Sequence, residues 1–134
     1  MAMGDPPPGR KGWRVLLAPA EIARTGDGRM VEVANGAVAT SGDVFQYLEI
    51  DGVRYSHIVD PRTCLGLTNR AQVTVVASDG MTADSLATSL SVLPPEQGLS
   101  LVEEQPGAAA HLVRLNRGRL ETYESKRLRG FLME

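Results

Sequence analysis

Between Val73 and Leu93 the apolar pattern of the chain changes period, and that change limits the folds open to it. Val73-Thr74-Val75-Val76-Ala77 is a continuous, mostly β-branched run, the mark of a buried strand. A few residues later Leu86, Leu90 and Leu93 recur at i, i+4 and i+7, with Ala83 and Ala87 beside them. That spacing predicts a helix over Thr82–Leu93 with one apolar face, ended by Pro94-Pro95. Glu96–Glu104 reads as a second short helix closed by Pro106-Gly107.

Strands are expected on either side of the helices. Asp5–Gly12 is a Pro- and Gly-rich loop, and Trp13–Ala18 is a strand stopped by Pro19. Arg24–Arg29 is turn chemistry, and Met30–Thr40 is strand with a break at Asn35-Gly36. Tyr47–Ile50 and Val53–His57 flank Asp51-Gly52, a strong hairpin signal because a type I′ turn needs positive φ at both central residues. Ala109–Leu115 and Leu120–Tyr123 form a last hairpin around Arg117-Gly118. The order predicts an α+β fold, a largely antiparallel sheet with two helices packed on it.

At 134 residues the chain is one domain in size and long enough to bury a core. Its apolar (43%) and charged (22%) fractions are those of a globular protein. A net charge of −2 gives no overall basic field for nucleic acid or an anionic membrane. The cationic cluster Lys126, Arg127, Arg129 reads as a solvated tail. Cys64 is the single cysteine, which removes an internal disulfide, a zinc ribbon and a dithiol site. No stretch approaches the ~18 apolar residues of a membrane span. The first residues lack the charged and apolar regions of a signal peptide.

Three places carry possible chemistry. Asp84 and Thr88 stand four apart on the predicted helix, opposite the leucines and with Ser91 in line. A carboxylate and a hydroxyl on one face can give oxygen ligands to a hard cation, although the same face is also what ordinary solvation and the helix dipole produce. Ser56-His57-Ile58-Val59-Asp60-Pro61-Arg62-Thr63 leaves the hairpin's second strand and breaks at Pro61. An imidazole at such an exit can act as a general base, with Asp60 orienting it or accepting from a ligand hydroxyl. The plainer reading is a hydrogen-bonded strand end followed by turn chemistry. Ser41-Gly42-Asp43 ends another strand, where Gly42 either lets a ligand approach the backbone or simply makes a turn. His111 lies in an apolar strand and reads as structural.

Together and in this order, these segments resemble the ApbE family of FAD:protein FMN transferases. Gly36-Ala37-Val38-Ala39-Thr40-Ser41-Gly42-Asp43 resembles the family strand that ends in S-G-D. Tyr55-Ser56-His57-Ile58-Val59-Asp60-Pro61-Arg62-Thr63 is similar to its Y-S-H-I signature, in which an aliphatic residue, Asp or Asn, Pro, a basic residue and Thr follow. Val73–Ala77, Asp79 and Met81-Thr82-Ala83-Asp84-Ser85-Leu86-Ala87-Thr88 resemble its V-T-V-x-A and D-x-M-T-A-D-A-L-A-T block. The likeness runs from about Gly4 to Tyr123.

The resemblance implies a chemistry. A threonine or serine hydroxyl of a target flavoprotein attacks the FMN-side phosphorus of FAD, and AMP leaves, with Mg²⁺ on the pyrophosphate. By resemblance Asp84 and Thr88 are Mg²⁺ ligands and His57 is the catalytic histidine. Ser41 and Gly42, and Ser56, His57, Ile58, Asp60 and Thr63, belong to the FAD site. FAD and a flavin-acceptor protein are the implied partners, self-association is possible, and relatives are often exported and tethered to membranes.

Two departures stand out. The signature continues with Gly after the Thr, where this chain has Cys64; a side chain there crowds the loop if φ is positive, unless Gly66 compensates. Family members are also more than twice this long, and their N-terminal half carries an A-K-G segment, a further metal contact and much of the flavin pocket. The expectation is therefore that residues 1–134 form the C-terminal portion of an ApbE-like, T-fold-like domain. The alternatives are an inactive flavin- or nucleotide-binding remnant, or a domain that completes its fold with another chain.

Overall fold

The computed structural model describes residues 1–17, 29–43 and 46–133. In chain order the elements are β1 (Ala2–Met3), β2 (Trp13–Leu16), β3 (Met30–Val33), β4 (Gly36–Gly42), β5 (Tyr47–Ile50), β6 (Val53–Ser56), β7 (Val59–Asp60), β8 (Leu65–Gly66), β9 (Arg70–Ala77), α1 (Gly80–Val92), α2 (Pro95–Glu104), β10 (Ala109–Asn116), β11 (Arg119–Glu124) and a 3₁₀ helix, Lys126–Gly130. The expected turn at Arg24–Arg29 falls, up to residue 28, outside the described residues, as do Ala18 and Pro19.

The main sheet has the order β1-β4-β9-β10-β11. Every neighbouring pair in it is antiparallel. β9 is its central strand and is buried along almost its whole length. Ala71, Val73, Val75 and Ala77 point to one face, where they meet Ala83, Leu86, Ala87 and Leu90 of α1. Val76 points to the other face and packs with Val38, Ala109, Val31, Val33 and Leu128. Burial on both faces is why β9 reads as an unbroken apolar run instead of an alternating one.

The second layer was not expected. The β2–β3 hairpin and the 3₁₀ helix cover the face opposite α1 and α2. The tail that reads as solvated is docked, which corrects that expectation. The backbone bonds Glu32 N–H to Phe131 O (2.8 Å) and Met133 N–H to Met30 O (2.9 Å) hold it to β3. Arg127 donates to the carbonyls of Ala108 (2.8 Å), Val102 (2.8 Å), Glu103 (3.0 Å) and Gln105 (3.0 Å). The final carbonyls of α2 have no partner within the helix, and this guanidinium supplies one.

Helix ends follow local chemistry. Asp79 caps α1: its Oδ1 accepts the Thr82 backbone N–H at 2.9 Å and its Oδ2 the Thr82 hydroxyl at 2.8 Å. Leu93, held extended (ψ 155°) by the proline after it, stops the helix, and Pro95 starts α2 at a position where its missing N–H costs nothing. The Asp51-Gly52 turn has the predicted left-handed pair, Asp51 (φ 50°) with Gly52 (φ 75°), and the Arg117-Gly118 turn has one as well, Arg117 (φ 48°) with Gly118 (φ 79°). On the sheet face away from the helices, the Thr40 and Thr74 hydroxyls lie 3.0 Å apart and buried His111 stands 3.7 Å from Glu124, itself ion-paired with Arg29. His111 is thus part of the sheet's own polar strip.

Candidate functional site

The site is built where β4, α1 and the β5–β6 hairpin converge. β4 ends at Ser41-Gly42 on the side of the sheet that carries α1. Leu86 and Leu90 bury one face of α1 against that sheet, and the same rotation leaves Asp84 and Thr88 exposed. The Ser41 and Thr88 hydroxyls lie 3.4 Å apart. A cavity of about 370 Å³ opens here, lined by Thr40, Ser41, Gly42, Gln46, His57, Asp84 and Thr88. Asp84, Thr88 and Ser41 give it a set of oxygen donors of the type hard divalent cations take.

Gly42 has a packing reason as well. A Cβ at this position would sit 2.7 Å from the Ala71 carbonyl oxygen of the neighbouring strand. The glycine therefore allows β4 to keep its pairing with β9 up to the cavity wall.

A second cavity of about 670 Å³ adjoins it along the β5–β6 hairpin. Its lining is Gln46, Tyr47, Leu48, Ile50, Tyr55, Ser56, His57, Val59, Cys64, Leu65 and Gly66. Tyr47, Leu48, Ile50, Val59 and Leu65 are each about half exposed. They form an open apolar cluster of the kind that binding surfaces present. Gln46 and His57 line both cavities and so stand on the boundary between them. The Gln46 carbonyl oxygen accepts the His57 backbone N–H and lies 3.2 Å from His57 Nδ1.

Of the residues singled out in the sequence, Ser41, Gly42, His57, Asp84 and Thr88 meet at the polar cavity, and Ser56 and His57 line the apolar one. Ile58, Asp60 and Thr63 line neither. Ile58 is buried and its N–H donates to Ser56 Oγ at 3.1 Å. Asp60 holds Arg62 through the backbone N–H (2.9 Å) and the guanidinium (2.7 Å), and these bonds, led by the side-chain one, keep its carboxyl below the usual range. Thr63 Oγ1 accepts the Leu65 N–H at 3.3 Å. These three side chains shape the β7–β8 loop that carries the cavity wall. Ser91, expected in line with Asp84 and Thr88, is buried and donates to the Ala87 carbonyl at 2.9 Å, which corrects that placement. Seven residues bring it round to within about 20° of Asp84, but it also follows the fully buried Ala87 by one turn, and the packing of α1 covers that edge of the helix.

Gln46, Tyr47 and Tyr55 were not singled out in the sequence by role. The available signal was their place on either side of the Asp51-Gly52 turn, opposite each other's strands. Cys64 takes the crowded conformation, φ +58°, at the loop's end. Gly66 does not take over that turn: it lies in β8, where a Cβ would collide with the Ser56 carbonyl oxygen.

Comparison with known proteins gives a consistent picture. The model of the ApbE family matches residues 1–112. The chain is 38% identical over 121 residues to the FAD:protein FMN transferase of Vibrio cholerae, covering 90% of this chain and 36% of that protein. It is 34% identical over 124 residues to that of Klebsiella pneumoniae, covering 92% of this chain and 35% of that protein. The crystal structure of the ApbE protein of Thermotoga maritima superposes with a TM-score of 0.75 at 31% identity, covering 97% of this chain and 41% of that one. The chain thus spans about a third of the length of the curated relatives it matches.

Proposed function

Since the chain belongs to the ApbE family, we propose that it is the C-terminal portion of an FAD:protein FMN transferase and supplies one wall of its site. The reaction is Mg²⁺-dependent transfer of FMN from FAD to a threonine or serine hydroxyl of a flavoprotein, with AMP released. The observation that carries the reading is the convergence of Ser41, His57, Asp84 and Thr88 on one polar cavity, next to an apolar one.

Each cavity suits one part of such a substrate. The apolar cavity, walled by Tyr47, Tyr55, Leu48 and Leu65, suits a flat aromatic heterocycle. The polar cavity suits a pyrophosphate and its cation. Asp84 and Thr88 would hold Mg²⁺ there, with Ser41 beside them; the ion, when bound, neutralises phosphate charge. His57, which lines both cavities, would take the proton of the incoming hydroxyl. As the FMN-side P–O bond to the acceptor oxygen forms, the bond to the AMP phosphate breaks and AMP carries that oxygen away. Positioning and charge neutralisation are the protein's main contribution to such a transfer.

The test uses an enzyme of full family length carrying this segment. Asp84→Ala is expected to abolish Mg²⁺-dependent release of AMP from FAD without unfolding the protein. Unchanged AMP release at saturating FAD would remove Asp84 from the site and with it the metal assignment.

A further inference from the structure

Among the described residues Asp43 is the one carboxylate that is buried, 4% exposed, and nothing above gives it work. A buried carboxylate is costly unless it is paired. Its Oδ2 lies 3.2 Å from Nε of Arg54 on β6 and 3.7 Å from Nε of Arg70 at the start of β9. Arg54 also donates from its terminal nitrogen to the Asp43 backbone carbonyl. The same guanidinium lies flat over Tyr47, 3.3 Å from the ring centroid. One planar cation therefore joins the end of the S-G-D strand to an aromatic side chain of the apolar cavity.

The β5–β6 hairpin needs such an anchor. It is a separate two-stranded sheet, not a continuation of the main one, and all of β5 is exposed. Apolar burial therefore does little to set where β5 stands. Yet Tyr47 and Gln46 at its start line the cavities, and Gln46 holds His57 through its carbonyl. Arginine suits the task because its edge pairs with a carboxylate while its face stacks on a ring; lysine cannot do both.

We propose that Asp43 is a positioning residue, which through Arg54 fixes the Tyr47 ring and so sets the boundary where Gln46 and His57 join the polar and apolar cavities. That this boundary receives a flavin nucleotide rests on the function proposed above; the coupling from Asp43 to Tyr47 and His57 does not.

The experiment uses the 134-residue chain without ligand and then with FAD. Arg54→Lys keeps a cation for Asp43 but loses the flat stack; Asp43→Asn removes the charge. NMR reads the ring signals of Tyr47 and His57 against the core methyls of Val73, Leu90 and Leu112. In Arg54→Lys the two ring signals are expected to move while the core methyls stay, and FAD affinity by flavin fluorescence to fall by about tenfold. Asp43→Asn should give the same pattern, and its effect should not add to that of Arg54→Lys in the double variant. Ring signals that stay in place in Arg54→Lys would overturn the proposal. So would movement of core and ring signals together, or loss of the fold in Arg54→Lys, because Asp43 would then be a general support. A parent chain that binds no FAD would remove the flavin reading alone, and the ring signals would still decide the coupling.

Discussion

Cys64 occupies a backbone position that suits glycine. The Asp60 carbonyl accepts both the Thr63 N–H (3.2 Å) and the Cys64 N–H (2.8 Å), and closing the loop in this way puts Cys64 at φ +58°. A side chain in that conformation costs roughly 1 kcal/mol or somewhat more, part of which glycine gives back through a freer unfolded chain. Cys64→Gly is therefore expected to stabilise the chain by up to about 1 kcal/mol in urea unfolding. A loss of stability would mean that the thiol's contacts on the cavity wall outweigh the strain. His57 makes the opposite kind of prediction. It is exposed and its backbone N–H is already bonded to Gln46, so removing the ring should leave the fold intact. In an enzyme of full family length, His57→Ala is expected to slow flavin transfer by about 10²–10⁴-fold, the usual range for a general base. A loss below about threefold at an unchanged melting temperature would exclude that role.

The helix α1 has two duties, and its capping serves both. One face closes the main core, while the other presents Asp84 and Thr88 to the polar cavity. Asp79 ends the preceding loop, and its carboxyl is held below the usual range, first by the Thr82 backbone N–H and next by the Thr82 hydroxyl. Because the folded value lies below the unfolded one, the stability it contributes is complete above the unfolded carboxylate range and is lost as the pH falls through the folded value. Asp79→Ala should lower the melting temperature at pH 7, and the difference should shrink as the pH falls below about 4. Asp79→Asn, which keeps a capping oxygen, should lie between parent and alanine variant at pH 7. A difference that persists unchanged at low pH would mean the aspartate acts by packing and not by charge.

The molecule as a whole leaves a good deal of apolar surface and sheet edge open. The apolar side chains of β5, β7 and β8 face a cavity and not a core. Met1 and β1 cover the outer edge of β4 from Gly36 to Val38, and beyond Val38 that edge carries no ladder partner among the described strands. The polar cavity offers one carboxylate and a few hydroxyls, too little to hold metal, pyrophosphate and nucleophile in one geometry. We expect the 134-residue chain to bind FAD weakly, to self-associate, and to leave FMN unattached to any acceptor. In-gel fluorescence after incubation with FAD, Mg²⁺ and a threonine-containing acceptor domain checks this. Strong covalent labelling would mean that a site of this size, completed by a second copy, suffices.

Much of the local structure could be read from the residues in order. The Asp51-Gly52 and Arg117-Gly118 turns, the break at Asn35-Gly36 and both helices fall where expected, with α1 at Gly80–Val92 against a predicted Thr82–Leu93. Backbone preference, capping and apolar period act over a few residues, so they are present in any short window of sequence. The ordered motifs also placed the chain in its family. What no window contained was which distant residues meet. Ser41 and Thr88 are 47 positions apart and touch only because β4 and β9 pair beneath α1. The packing of α1 turned Ser91 inward, the docking of Arg127 on α2 converted an apparent tail into a second layer, and strand order gave Asp43 its two arginines. Those choices depend on how elements share a core and satisfy buried polar groups, and that balance exists only once the whole chain has packed.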